Sequence, residues 1–405
     1  MYIYKAAVVG GGAMGAEIAQ VITYSGLPVL LKEINEELAQ KALGHIRAIY
    51  QKRVEKGKMT PEELESKMAL VSVTTRFEDL KDVDVAIEAV PEKMDLKKSV
   101  FKDLDACLPS HAILASNTSS LSISALGAAT SRPDKVIGIH FFYPAHVMKL
   151  IEVIPGLATS EETVSDSIAF CESLRKLPVR VNECAGFLVN RLLMPYLNEA
   201  AFCAEEGSAG LRAIDQAMVD FGFPMGPFTL VDTIGLDICH DVVGVLLEEY
   251  GNRMAPALLW GEIYKRKRFG VKSGAGFYSY NAAGADNTID EILNKLKAQA
   301  SSKKAPFSAE RLMLAMINEA ALCIQEHIST PSDIDIAVLA GIGFPQAKGG
   351  LLQYADSMGI DVIFEKLNEL CKIYGERFFP AGLIRRMVDA GFLGKKAKRG
   401  FLEYA

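Results

Sequence analysis

The stretch that most restricts what this chain can fold into is AAVVGGGAMG, residues 6–15, where a short apolar run meets glycines at 10, 12 and 15 and a helical periodicity begins at Met14. A buried strand must stop, turn sharply and enter a helix with no room for side chains. Gly10 permits the turn, Gly12 lets a backbone approach a diphosphate, and Gly15 lets the helix pack on the strand, so the helix start at Ala13 and Met14 faces negative charge. A second apolar run, VLLKE, ends in Glu33, 18 positions beyond Gly15. A carboxylate there accepts hydrogen bonds from ribose hydroxyls and repels a 2′-phosphate, so NAD is expected over NADP despite the neighbouring Lys32.

From Ala6 to Val153 short β-branched runs alternate with longer amphipathic segments, which predicts a mostly parallel sheet covered on both faces. From Gly186 onward the apolar spacing is helical, through Phe187, Leu193, Met194 and Leu197. The polar, Ala-, Asn-, Ser- and Lys-rich stretch 281–306 reads as a linker with one exposed helical piece. Beyond it the helical region repeats. RLLMPYLNEAA at Arg191 returns as RLMLAMINEAA at Arg311, an offset of 120 that also places Asp215 on Asp335; Gly-Phe-Pro recurs, and Asp232 and Gly235 return as Asp356 and Gly359. The expected fold is an α/β Rossmann-type N-terminal domain (residues 1–184), then two all-α C-terminal domains (185–283 and 307–405) that are a tandem repeat of one helical unit, with 284–306 between them.

The 44 basic and 50 acidic residues leave a net charge of −6 with no long single-sign block, which argues against nucleic acid or an anionic membrane as partner. Seven cysteines without a Cys-x-x-Cys pair suit a reduced, cytoplasmic setting, and no metal site is expected. No run of 18 apolar residues and no export signal is expected from the pattern.

Between Ser116 and Glu152 lie polar residues that apolar packing does not ask for: SNTSSL after one strand, His140 ending the next, and Glu152 inside MKLIEVI. A histidine at such a strand end can take a proton from a substrate hydroxyl while hydride leaves the same carbon, and a nearby carboxylate would fix its tautomer. Of the other histidines, His146 is closest to this segment; the rest read as structural or surface residues.

The glycine loop with Glu33, EAVPEKMDLKK, ASNTSSL, GIHFFYPAHVMKLIEVI, AGFLVNRLL, GFPMGPFTLVDTIGLD and KSGAGFY together resemble the 3-hydroxyacyl-CoA dehydrogenase family over nearly the whole chain, the second helical copy resembling the duplicated domain of its longer members. The resemblance implies NAD-dependent oxidation of L-3-hydroxyacyl-CoA to 3-ketoacyl-CoA, in fatty-acid β-oxidation or four-carbon CoA metabolism. It implies His140 as acid/base and Glu152 as its partner, Ser119 and Asn190 as hydrogen-bond donors to substrate oxygen, and Glu92, Lys97, Asn117, Ser119, Tyr143 and Lys272 as cofactor-binding positions. The basic run Lys52, Arg53, Lys56 and Lys58 falls where the family handles coenzyme A, although a solvated face explains it as well. Two alternatives stay open on the residues: a related dehydrogenase acting on a small acid or sugar, and a nucleotide-binding protein without catalysis.

The chain departs from the family pattern at Tyr143, where Asn is usual, and at Ala185, where Pro is common. Tyr143 is expected to alter acyl-chain preference. In the second helical copy Glu310 stands where the counterpart of Asn190 would fall, so that copy is expected to serve packing, leaving a monomer or homodimer. A separate enoyl-CoA hydratase and thiolase are the expected working partners.

Overall fold

A computed structural model describes residues 2–280, 286–298 and 305–405, which form two compact units, Met1–Phe187 and Leu188–Ala405. In the first, eight strands form one sheet in the order β3-β2-β1-β4-β5-β6-β7-β8: β1 (Ala6–Val9), β2 (Val29–Lys32), β3 (Val71–Thr74), β4 (Val85–Glu88), β5 (Ile113–Ser116), β6 (Val136–Phe141), β7 (Leu150–Pro155) and β8 (Leu177–Arg180). Strands β1 to β6 run parallel; β7 lies antiparallel to β6, and β8 runs with β7. The central strands are buried at every residue, as both faces are covered by α1 (Ala13–Ser25), α2 (Glu36–Glu55), α3 (Pro61–Met68), α4 (Met94–Cys107), α5 (Ile123–Gly127) and α6 (Glu161–Ser173). Starts are marked locally: the side chain of Asn35 accepts from Leu38 N–H, and Thr60 and Glu63 form a capping box.

Strand β8 escapes the sequence pattern. Its four residues, LPVR, are too few to show alternation, and Pro178 argues against a strand; on the sheet edge the missing N–H costs no ladder bond.

The second unit is helical: α7 (Val189–Glu205), α8 (Leu211–Phe221), α9 (Pro227–Ile234), α10 (Leu236–Tyr250), α11 (Leu258–Lys265), α12 (Thr288–Lys297), α13 (Ala309–Gln325), α14 (Pro331–Ala337), α15 (Leu351–Met358), α16 (Ile360–Tyr374) and α17 (Gly382–Asp389). Of the stretch 281–306 expected as a linker, residues 281–285 and 299–304 lie outside the described residues. The described piece, α12, corrects the expectation of an exposed helix. Ile289, Ile292, Leu293 and Leu296, at the i, i+3, i+4, i+7 spacing, are all buried against α7 and α11.

Helices α7 and α13 pack together through crossed ion pairs. Arg191 Nε donates to Glu319 at 2.7 Å and its Nη2 to Glu326 at 2.6 Å; Arg311 Nε donates to Glu199 at 2.7 Å and its Nη2 to Glu206 at 3.0 Å. Two buried carboxylates close each helical layer in the same manner. Asp215 accepts from Phe228 and Thr229 N–H and Asp335 from Leu352 and Gln353 N–H, while Asp232 and Asp356 accept from Phe277 and Tyr278 and from Phe401 and Leu402.

Candidate active site and family comparison

The glycine loop obeys its steric logic. A side chain at Gly15 would place Cβ 1.8 Å from the Gly10 carbonyl oxygen, and Gly10 itself has φ +96°, a region an L-residue avoids. Gly12 begins α1 with open space where its Cβ would be, and no side chain caps the helix. The first N–H groups of α1, at Ala13, Met14 and Gly15, therefore have no side-chain acceptor, the arrangement an anionic diphosphate fits. Glu33 follows β2, and its carboxylate accepts from Gly11 N–H at 2.5 Å and from Ile34 N–H at 2.9 Å. The acidic residue thus braces the glycine loop. Lys32 does not compete at this place, since its ammonium lies 4.0 Å from the Phe77 ring centroid.

At the ends of β4 and β5 a buried network appears that sequence reasoning only half recovered. Glu88 is fully buried, takes the Lys97 ammonium at 2.7 Å and accepts from Val90 N–H and from Ser116 Oγ, each at 2.7 Å. Ser116 opens the polar SNTSSL run, but Glu88 escapes the sequence pattern, because a Glu ending a strand of VAIE carries no local mark of its partner 28 residues on. Lys97 also reaches Glu92 at 3.2 Å, and Glu92 accepts from Thr118 Oγ1 at 2.5 Å and Ser119 N–H at 3.0 Å, with Ser119 Oγ at 3.4 Å. Burial pushes the Glu92 carboxyl up, but Lys97 and the bonds from Thr118 and Ser119 outweigh it and hold it below the usual carboxylate range. Glu92, Lys97 and Ser119 are therefore one cluster. Asn117 uses its side-chain oxygen on Phe141 N–H at 2.9 Å, tying the end of β5 to β6.

His140 and Glu152 sit directly opposite each other in the antiparallel register of β6 and β7. The distance from His140 Nδ1 to Glu152 Oε2 is 2.7 Å, with both residues buried and the Phe142 ring 4.5 Å from the imidazole. With Nδ1 so engaged, Nε2 is the nitrogen left to exchange a proton. Strand β6 runs parallel to β1, so His140 and the glycine loop lie at the same, carboxyl end of the sheet, where open α/β sheets bind ligands.

Tyr143 is 68% exposed on the loop between these strands. Of the basic run, Lys52, Lys56 and Lys58 are exposed, whereas Arg53 donates to Tyr24 Oη at 2.8 Å and stacks on that ring. Asn190 and Lys272 belong to the second unit, Asn190 in the first turn of α7. Lys272 pairs with Asp237 at 2.6 Å, and Lys396 pairs with Asp361 at 2.6 Å in the same way, so this lysine has a partner within the helical fold itself.

A profile of the 3-hydroxyacyl-CoA dehydrogenase NAD binding domain matches residues 5–184, and one of that enzyme's C-terminal domain matches residues 186–280 and 307–404. The chain belongs to the 3-hydroxyacyl-CoA dehydrogenase family. Its members are NAD-dependent oxidoreductases. The fatty acid oxidation complex subunit alpha of Shewanella amazonensis is 40% identical over 394 residues, 96% of this chain and 56% of that protein. The glyoxysomal fatty acid beta-oxidation multifunctional protein MFP-a of Brassica napus is 37% identical over 96% of this chain and 55% of its own length. The chain thus spans about half the length of the curated relatives it matches. A crystal structure of 3-hydroxybutyryl-CoA dehydrogenase from Escherichia coli superposes with a TM-score of 0.88 at 30% identity, covering 97% of this chain and all of the other.

Proposed function

We propose that this chain oxidises L-3-hydroxyacyl-CoA to 3-ketoacyl-CoA reversibly, with NAD as acceptor, in fatty-acid β-oxidation or 3-hydroxybutyryl-CoA metabolism. The observation that carries the reading is the buried 2.7 Å bond between His140 and Glu152 at the end of the sheet that bears the glycine loop. His140 Nε2 takes the proton of the 3-hydroxyl, and Glu152 holds Nδ1–H and stabilises the imidazolium. Bound NAD supplies the hydride acceptor. Glu33 receives the adenosine ribose, and the start of α1 receives the diphosphate. Ser119, held by Glu92, donates to the reacting oxygen, with Asn190 as a second donor and Lys52 and Lys56 meeting the phosphates of coenzyme A. Relatives whose names refer to fatty acid oxidation and to 3-hydroxybutyryl-CoA support the substrate class.

The reading includes a nucleotide domain at residues 1–184 and two copies of one helical unit at 185–283 and 307–405. Support comes from the C-terminal profile's match to residues 186–280 and 307–404 and from the crossed pairs in which Arg191 and Arg311 each meet glutamates of the other stretch. Such an exchange of equivalent contacts has the form of an isologous dimer interface within one chain. A cytoplasmic setting belongs to the same reading, supported by the bacterial relative; no helix among the described residues is long and apolar enough to cross a membrane.

The deciding experiment follows NADH oxidation by the purified protein with acetoacetyl-CoA and with longer 3-ketoacyl-CoAs, beside NADPH and beside free acetoacetate. Rapid, CoA-dependent consumption of NADH is expected. Turnover of free acetoacetate in preference to every CoA ester, or no turnover with any chain length while NADH binds, overturns it.

A further inference from the structure

One buried carboxylate beside the site is not used by the chemistry above. Glu17 lies one turn into α1, directly after the glycine loop, and is 2% exposed. Its Oε2 accepts from Ala145 N–H at 2.5 Å and lies 3.3 Å from His146 Nδ1. Ala145 belongs to the eight-residue segment 142–149 that joins the His140 strand to the Glu152 strand. The other face of the same residue is held as well, since Lys176 Nζ donates to Ala145 O at 2.6 Å and to Met148 O at 2.7 Å. Within the segment, Val147 and Met148 N–H both return to Pro144 O, at 3.0 and 2.9 Å. Its middle is thus clamped while Tyr143 and Val147 stand out, at 68% and 61% exposed. Tyr143 and Val147 are the apolar side chains of the segment most open to a ligand that reaches the His140 end of the sheet.

We propose that Glu17 is a positioning residue for the acyl substrate: by holding Ala145 it sets the segment between the two strands so that Tyr143 and Val147 receive the acyl chain. This deepens, and rests on, the dehydrogenase reading given above. A buried carboxylate placed on a backbone N–H makes a strong, charge-assisted bond, and losing it leaves that N–H without its acceptor in a dry setting. Burial pushes the Lys176 ammonium down to about 8 while Glu17 draws it back up, so the two groups act in one enclosed neighbourhood around Ala145. The clamp also runs between the helix that opens the nucleotide site and the strands that carry the acid/base pair.

The test compares wild type with Glu17→Ala and Glu17→Gln. Three things are read: KM and kcat over 3-ketoacyl-CoAs of increasing chain length, the NADH dissociation constant, and amide hydrogen exchange of the peptide covering 142–149. Glu17→Ala is expected to speed exchange in that peptide and to raise KM about tenfold for chains long enough to reach the segment, with kcat and NADH affinity changed by less than about twofold. Glu17→Gln is expected to restore most of KM, because its amide oxygen can still accept from Ala145. Unchanged exchange, or unchanged KM at every chain length, overturns the proposal. So does a joint fall of kcat, NADH affinity and melting temperature, the mark of a residue that only supports the fold. Should wild type turn over no acyl-CoA at all, the dehydrogenase reading fails by itself, and a loop that exchanges alike in both proteins still refutes the clamp independently.

Discussion

His140 and Glu152 face each other across β6 and β7 in register, 2.7 Å apart from Nδ1 to Oε2, although they lie twelve positions apart in the chain. Cross-strand neighbours in an antiparallel pair have their side chains on the same face, so the pairing of β6 with β7 itself brings imidazole and carboxylate together.

Replacing Glu152 by Gln keeps the shape but offers His140 a neutral partner. Turnover of a 3-ketoacyl-CoA is expected to fall roughly 100- to 10,000-fold, the usual contribution of a positioned acid/base, with NADH affinity nearly intact. His140→Ala should fall in the same range. Single-turnover rates and NADH titration check this, and wild-type rates in either variant would remove the pair from the chemistry.

Substitution can separate the contact of Glu33 with the glycine loop from its proposed place at the ribose. Glu33→Ala removes the acceptor for Gly11 N–H as well as the carboxylate proposed to meet the ribose, so NADH binding should weaken by an order of magnitude or more. Glu33→Gln retains an acceptor for Gly11 yet loses the charge that repels a 2′-phosphate, so its NADPH to NADH affinity ratio should rise with less loss of NADH. Fluorescence titration with both nucleotides decides, and an unchanged ratio in both variants excludes Glu33 from the ribose site.

Glu205 lies at the end of α7, where its carboxylate accepts from Leu259 N–H at the start of α11. Burial pushes its carboxyl up to about 7, from an ordinary value of 4.5, with the backbone bond pulling the other way. The folded protein therefore keeps a proton there between roughly pH 4.5 and 7 that the unfolded chain has released. The sign is that this proton stabilises the fold in acid and its contribution is lost as pH rises through 7. Gln325 makes the same kind of contact, to Leu383 N–H at 2.8 Å, with no titratable group. Glu205→Gln should accordingly add roughly 1–3 kcal/mol of stability at pH 8 and none at pH 4.5. Denaturant melts at the two pH values test it; equal changes at both would show that ionisation of Glu205 is not what costs stability.

Some of the site was written in local pattern. Gly15 must be glycine because its Cβ would meet the Gly10 carbonyl five residues back, and Gly10 because its φ is +96°; a local demand of that kind is legible in the sequence, whereas Gly12 has open space around it. His140 and Glu152 stood out as polar residues in apolar strands, but that they form one cross-strand pair depends on the antiparallel turn. Glu88, fully buried and bonded to Lys97 and Ser116, was invisible because each partner comes from a different element. The helix α12 shows the opposite failure. Its flanks are so polar that composition masked four apolar residues spaced for burial.

By itself, then, the sequence determined the alternation of strand and helix, the glycine turn, and the motifs of a 3-hydroxyacyl-CoA dehydrogenase. Each of these depends on periodicity or on sterics within a few residues. Tertiary structure alone decided that Glu17 meets Ala145, 128 positions away, that Arg191 and Arg311 exchange glutamates between helices, and that Glu33 holds the loop it follows. Those contacts bring a charge or a buried N–H to a partner from a remote segment, and only the packing that excludes water makes each pairing strong enough to matter.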